Sequence, residues 1–162
     1  MADDILMSAA LEQAARGLAA RELPIGSVVA LDGKILARAS WRLNDGLLAH
    51  PELMVLRDAD RSADVGGRRA ELALYTTLEP CLLCMAAAMF SWCGRVVYAL
   101  ESPTDGGTAI GEHWNPGGEA APYRFPEVIG GVRREESVEL VRDYLGGAPP
   151  SPLATWAQTL VD

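Results

Sequence analysis

The chain has 162 residues, of which 49% are apolar, and a formal net charge of −8 with Lys34 as its only lysine. That length suits one domain spanning residues 1–162 and able to bury about 68–70% of its unfolded surface. No run of about 18 or more apolar residues is present to span a membrane. The acidic balance speaks against a nucleic-acid partner, because such proteins gather basic patches that neutralise phosphates. Arg57 with Arg61, or Arg68 with Arg69, are examples of local patches that would be needed. The start, Met1-Ala2-Asp3-Asp4, lacks the basic and apolar regions of a signal peptide. Three cysteines, an odd number, argue for a reducing cytoplasm with no disulfide framework.

Taken in chain order, residues 3–21 place Leu6, Ala9, Ala10, Ala14 and Leu18 on one helical face. Ile25 to Leu31 and Ile35 to Trp41 are short β-like runs, joined at Asp32-Gly33, a hairpin-turn dipeptide. Asn44-Asp45-Gly46 is a polar turn leading to His50. Pro51 suits a first helical position, where its missing N–H costs nothing, and that helix is expected to reach about Ser62. Glu71 to Leu78 reads as a strand, and Pro80 is expected to open a second helix carrying Cys81 and Cys84. Cys93 lies nine positions beyond Cys84. On a continuing helix it would sit about half a turn away, as a buried core thiol. Arg95 to Leu100 is the next strand. Residues 102–126 are rich in Gly and Pro, with His113, Trp114, Tyr123 and Phe125 scattered through them. Such a stretch reads as a loop that covers a ligand. A strand at 128–132, a helix at 137–145, a joint at Pro149-Pro150-Ser151-Pro152 and a short final helix follow. In that helix Leu153, Trp156 and Leu160 share one face.

Two spaced motifs carry the chemistry: His50-Pro51-Glu52 and Pro80-Cys81-Leu82-Leu83-Cys84. Taken singly, His50 is a capping or core histidine, the cysteines a redox pair, and Glu52 a first-turn acid favoured by the helix dipole. Together, one imidazole and two thiolates form a three-ligand zinc set with a fourth position open to water, which marks a catalytic rather than a structural site. Three positions apart on a helix, Cys81 and Cys84 lie on one face. Zinc brings the pKa of its water from about 15.7 toward 7, and Glu52 stands where it can take that proton, pass it to a ring nitrogen and protonate the leaving amine. The spacing resembles the H-x-E…P-C-x-x-C signature of zinc-dependent nucleobase deaminases, and that resemblance implies hydrolytic deamination, in which an exocyclic amine on a heterocycle becomes a carbonyl.

Four segments carry a resemblance: Leu23-Pro24-Ile25-Gly26, Ala49-His50-Pro51-Glu52, the stretch from Thr77 through Cys84, and Gly94-Arg95-Val96-Val97-Tyr98. They resemble the cytidine deaminase superfamily, and within it the branch of tRNA adenosine, guanine and fungal-type cytosine deaminases. The resemblance covers roughly residues 5 to 100. It implies a three-layer α/β/α fold with a central five-stranded mixed sheet, one zinc ion, a catalytic glutamate and a homodimer. Carried over by position, His50, Cys81 and Cys84 are the zinc ligands and Glu52 is the proton shuttle.

The chain departs from that pattern in two places. Relatives usually place Ala, Gly or Val between the His and the Glu, and in several that residue's N–H donates to the bound ring; Pro51 has none. Relatives also tend to carry an Asn on a G-x-N segment before the His. Here the stretch reads Arg38-Ala39-Ser40-Trp41-Arg42, and the first asparagine is Asn44. Pro51, Asn44, Trp114 and Trp156 are therefore the candidate substrate contacts. The leading reading is a deaminase of a small heterocycle, a free base or nucleoside. The alternatives are a tRNA wobble-adenosine deaminase and a catalytically silent deaminase fold serving as a binding module.

Overall fold

The structure, a computed structural model, describes residues 2–114 and 124–162. Its elements are α1 (Ala2–Ala19), β1 (Gly26–Leu31), β2 (Lys34–Ser40), α2 (Pro51–Asp60), β3 (Ala73–Leu78), α3 (Leu82–Phe90), β4 (Arg95–Leu100), β5 (Glu127–Ile129), α4 (Arg134–Gly147) and α5 (Pro152–Gln158). The sheet is five-stranded and mixed, in the order β2-β1-β3-β4-β5. β1 runs antiparallel to both β2 and β3, while β3, β4 and β5 are mutually parallel. β1 is buried along its whole length and β3 along nearly all of it, as strands covered on both faces must be.

Alternation along the strands assigns side chains to two cores. Val29, Leu31, Leu74 and Val96 point to the side covered by α2 and α3, where Val55, Leu56, Met85 and Ala88 close the layer. Val28, Ala30, Tyr75 and Val97 point to the other side, against Leu6, Met7, Ala10 and Leu11 of α1, with Leu140 of α4 packed beside them. The arrangement is thus a three-layer α/β/α sandwich. A third cluster joins Leu78 and Leu100, at the carboxyl ends of β3 and β4, to Val138 and Val141 of α4 and to Ala157 and Leu160 of α5. No helix among the described residues is long and apolar enough to cross a membrane.

Several boundaries differ from the sequence-based expectation, each for a local reason. Arg69–Glu71 forms a 3-10 turn, so β3 begins at Ala73 rather than Glu71. Pro80 precedes α3 without opening it; Cys81 is its N-cap. α3 ends at Phe90 because Trp92 turns to φ 60°. Cys93 therefore lies beyond the helix, buried, its thiol bonded to the carbonyls of Leu72 and Arg95 at 3.3 and 3.1 Å. β5 spans only Glu127–Ile129, and α4 starts at Arg134, three residues earlier than expected, after Arg133 at φ 58°. The Asp32-Gly33 turn takes φ 51° and 75°, the left-handed pair that a tight hairpin requires.

Gly26 opens β1 where α1 crosses the sheet. A Cβ there would overlap the Ala10 carbonyl and the Ala14 amide nitrogen, both backbone atoms that cannot move aside. Gly146, inside α4, faces open space. Gly26→Ala is expected to lower stability by at least about 2 kcal/mol through overpacking. Gly146→Ala should raise it by roughly 0.5–1 kcal/mol through reduced backbone entropy. Denaturant midpoints of the two variants measure both effects.

Candidate metal centre and its cavity

Two helix starts converge beside the carboxyl end of β3. His50 is the N-cap of α2 and Cys81 the N-cap of α3, and both have the extended backbone of that position. An N-cap side chain ordinarily accepts a bond from the helix's first N–H groups. Neither His50 nor Cys81 does so, and their side chains meet each other instead. His50 Nδ1 lies 3.6 Å from Cys81 Sγ and 3.4 Å from Cys84 Sγ, and the two sulfurs are 3.5 Å apart. Tetrahedral zinc with ordinary Zn–S and Zn–N lengths sets such donors about 3.6–3.8 Å apart. The triad matches that spacing within about 0.3 Å, so the residues present fit the ion. These three donor groups are the one such metal-holding set among the described residues; His113 is exposed and stands outside it.

Glu52, one residue into α2 from Pro51, is 4% exposed. One carboxylate oxygen, Oε1, accepts the Thr76 hydroxyl at 2.8 Å, and Thr76 in turn accepts from Ser27 at 2.9 Å. The other, Oε2, lies 3.6 Å from Cys84 Sγ. A relay of two buried hydroxyls from β1 and β3 therefore aims Glu52 at the ligand set. Burial pushes the Glu52 carboxyl up, opposed by its own backbone N–H, the Thr76 hydroxyl and the His50 charge. This is the direction a proton carrier needs near neutral pH. Cys81 is held as a thiolate, pulled down to about 4 first by the Cys84 thiol and then by His50. The helix termini add partial positive charge to the same spot.

The metal set floors a cavity of about 190 Å³ lined by Trp41, Pro51, Glu52, Glu79, Asp105 and Trp156, with apolar walls from Leu23, Ile25, Leu78 and Leu153. Trp41 packs edge-on against His50, ring centres 5.3 Å apart at 75°. Its indole N–H is buried with no hydrogen-bond partner among the described residues. One wall is a tight loop. The Glu79 carboxylate accepts the N–H groups of Ser102 at 3.0 Å and Thr108 at 3.3 Å, and the Thr108 hydroxyl. The Gly107 N–H donates to Pro80 O at 2.8 Å. At Gly107 a Cβ would strike the backbone of Cys81 and Leu82, so the loop closes there only around glycine. Asp105, bonded by the Ser102 hydroxyl, reaches the cavity from this loop. The adjoining wall is α5, which begins at a Ser151 cap and is tied to the loop by the Trp156 indole N–H donating to Thr104 Oγ1 at 3.1 Å.

Of the candidate substrate contacts, Pro51 and Trp156 line this cavity, and Asn44 and Trp114 do not. Asn44 lies exposed in the 3-10 turn Leu43–Asp45. Trp114 is half-buried just past a second such turn, Thr108–Glu112, which shortens the supposed covering loop. Phe125 packs into the core beneath α2 and α3 rather than over a ligand, and Tyr123 lies outside the described residues. Trp41 is the aromatic that the sequence reading passed over. Its signal was strand parity: Ala37 and Ala39 pack against the α2–α3 core, and the next residue of that parity is Trp41.

The basic pairs considered from sequence are largely neutralised within the chain. Arg57 pairs with Asp58, Arg68 with Asp32 and Glu71, and Arg69 with Asp60. Arg61, at the end of α2, is exposed and unpaired among the described residues.

Comparison with known proteins agrees with this site. The family described as the cytidine and deoxycytidylate deaminase zinc-binding region matches residues 1–100. A tRNA-specific adenosine deaminase of Agrobacterium fabrum is 36% identical over 127 residues, covering 76% of this chain and 80% of that one. A tRNA(Ile)-lysidine synthase of Deinococcus radiodurans is 33% identical over 149 residues, 86% of this chain, although the match spans only 24% of that protein. Among solved structures, one from a study of A-to-I editing by tRNA:A34 deaminases at the wobble position superposes with a TM-score of 0.70 at 31% identity. That match covers 84% of this chain and 98% of the other. A zinc-holding triad at two helix starts, a buried glutamate aimed at it and a family match over its first 100 residues place this chain in the cytidine and deoxycytidylate deaminase zinc-binding family.

Proposed function

We propose that the protein is a zinc-dependent hydrolytic deaminase of adenosine in transfer RNA, acting on a base turned out into the cavity. The observation that carries the reaction class is the Glu52 carboxylate, buried and aimed at the His50, Cys81 and Cys84 donors on the floor of the cavity. When bound, zinc supplies Lewis acidity and a hydrolytic water of lowered pKa. Glu52 would take one proton of that water and carry it to the ring nitrogen beside the reacting carbon, then take the second proton from the hydroxyl added to that carbon and pass it to the amine, which leaves as ammonia while the carbonyl forms. Thr76 and Ser27 hold its carboxylate in place between the two transfers. Trp41, Leu78, Leu153 and Trp156 exclude bulk water and give a flat ring apolar faces to lie against.

Support for the RNA substrate comes from the relatives named above, several of which act on transfer RNA by their descriptions, and from size. At about 190 Å³ the cavity is below the roughly 300–1,000 Å³ of sites that enclose drug-sized ligands. It suits one base, with sugar and phosphate left outside. The small-heterocycle reading keeps one specific support: Pro51 removes a backbone donor beside the metal set, so a pocket shaped for a relative's base is altered here. The unpaired state of Cys81, Cys84 and Cys93 supports a reducing, cytoplasmic setting. A homodimer is supported by the exposed apolar residues on the outer surface of α2 and α3, where Leu53, Ala87 and Phe90 border a shallow groove and Phe90 is 66% exposed.

Four outcomes follow. Purified protein is expected to hold about one zinc per chain, as a three-ligand open site requires, and Cys81→Ala to lose it in metal analysis; full occupancy of that variant would refute the ligand set. Glu52→Gln should keep zinc and fold while losing at least about 10²-fold in turnover; loss of the metal would make Glu52 a ligand instead. Incubation with an anticodon stem-loop should yield inosine, whereas ammonia release from free bases or nucleosides without inosine in RNA would restore the small-heterocycle reading. Phe90→Glu should shift the sedimenting species from dimer to monomer, and a wild-type monomer would dismiss the interface.

A further inference from the structure

The arginines of this chain divide into two sets. Those at 57, 68, 69, 95, 133 and 134 are bound to carboxylates of the same chain. Seven have no acidic partner among the described residues: Arg124 lies over the Trp92 ring, Arg21, Arg61 and Arg142 are exposed, and so are Arg16, Arg38 and Arg42. These three gather at one place. Arg16 is in the last turns of α1, next to Gly17, whose missing Cβ faces the Trp41 carbonyl at 3.8 Å and Ser40 Cβ at 3.9 Å. Ser40 therefore points to the α1 side of the sheet, and strand alternation puts Arg38 on that same side. β2 is an edge strand, so this face borders solvent. Arg42 follows Trp41, the residue that walls the cavity beside His50. The three arginines thus come from α1, β2 and the residue leaving β2, on the α1 side of the sheet, where Gly17 lies against Leu23 and Trp41, two residues that line the cavity.

Nearby acids do not cancel them. Glu22 is occupied by the Leu43 N–H at 3.3 Å. Glu12 lies one turn before Arg16, and Asp45 three residues past Arg42, without bonding either arginine. In a chain of net charge −8, three arginines without acidic partners close to one another make a local field that the total hides. Guanidinium groups suit phosphate oxygens by their planar, forked donors.

We infer that Arg16, Arg38 and Arg42 form a docking rim for the phosphates of a single-stranded RNA segment flanking the base in the cavity. The inference rests on the RNA reading above and extends it to named contacts. The test measures binding of zinc-loaded protein to a fluorescent anticodon stem-loop at several salt concentrations. The triple variant Arg16→Gln, Arg38→Gln, Arg42→Gln should flatten the log K against log salt slope by about 0.7 for each arginine removed, near 2 in all. The corresponding triple Lys variant should restore most of the slope, and Arg61→Gln, which removes an unpaired arginine outside the rim, should leave it unchanged. Zinc content and melting temperature report that each variant is folded, and Arg42→Gln alone gives a one-contact reading should the triple variant be damaged. A wild-type slope in the Gln variants, with wild-type inosine formation intact, overturns the rim and leaves the RNA reading standing. An equal effect from Arg61→Gln overturns it in favour of net charge. A wild-type protein that neither binds nor deaminates the stem-loop overturns both.

Discussion

Everything at the site depends on two helices beginning at the same point without capping themselves. α2 and α3 start at His50 and Cys81, on the layer that covers one face of the sheet. Each would gain about 1 kcal/mol from a side chain accepting its first N–H groups. Both N-cap side chains are turned toward each other and toward Cys84 instead. The local preference of each helix is therefore set aside for a shared ligand set, and the partial charge of two helix ends is concentrated on thiolates and a carboxylate. Pro51 eases the arrangement, since at the first helical position its missing N–H leaves one fewer orphan donor.

The rest of the molecule holds that convergence still. Glu52 is buried where an isolated carboxylate would be costly, and the Ser27–Thr76 hydroxyl chain gives it a fixed partner drawn from two central strands. On the far side of the cavity Glu79 does comparable work with a different partner. Its carboxylate gathers the Ser102 and Thr108 donors, so the loop after β4 is tied to the residue two places before Cys81. Ser137 of α4 completes the support by donating to the Thr77 carbonyl at 2.7 Å, directly below the strand end from which Glu79 leaves. These bonds link the ligand segment to β1, β4 and α4, so a displacement of any one layer reaches the metal set.

How much of this was legible before any coordinates depends on the range of the signal. The hairpin at Asp32-Gly33, the helix start at Pro51 and the ligand spacing of Cys81 and Cys84 are written in adjacent residues, and the expectations there agree with the structure. The end of α3 was not legible, because it hinges on Trp92 adopting a left-handed backbone that nothing nearby announces. The cavity walls were harder still. Trp41 and Asp105 come from two separate segments, and only packing brings them together; Asn44 was singled out as the asparagine nearest the family's G-x-N position, and Trp114 as an aromatic of the expected covering loop. Net charge is blind for a related reason. A total of −8 treats every arginine alike, whereas the fold engages some in internal pairs and leaves others exposed without one.

The lining of the cavity bears on what kind of ring it accepts. Three carboxylates, from Glu52, Glu79 and Asp105, reach it, and no lysine or arginine does. Carboxylates accept hydrogen bonds and cannot give them. Glu79 and Asp105 are already partly engaged by loop donors, and Pro51 has no N–H to offer. The side-chain donors at the wall are the indoles: Trp156 gives its N–H to Thr104, and that of Trp41 is uncommitted. A polar group left unpaired in such a site costs about 1–3 kcal/mol. The walls therefore favour a ring whose own N–H groups meet acceptors, and an exocyclic amine is such a group. The same walls disfavour a phosphate inside the cavity, since three carboxylates would repel it. On the RNA reading proposed above, sugar and phosphate stay outside the cavity.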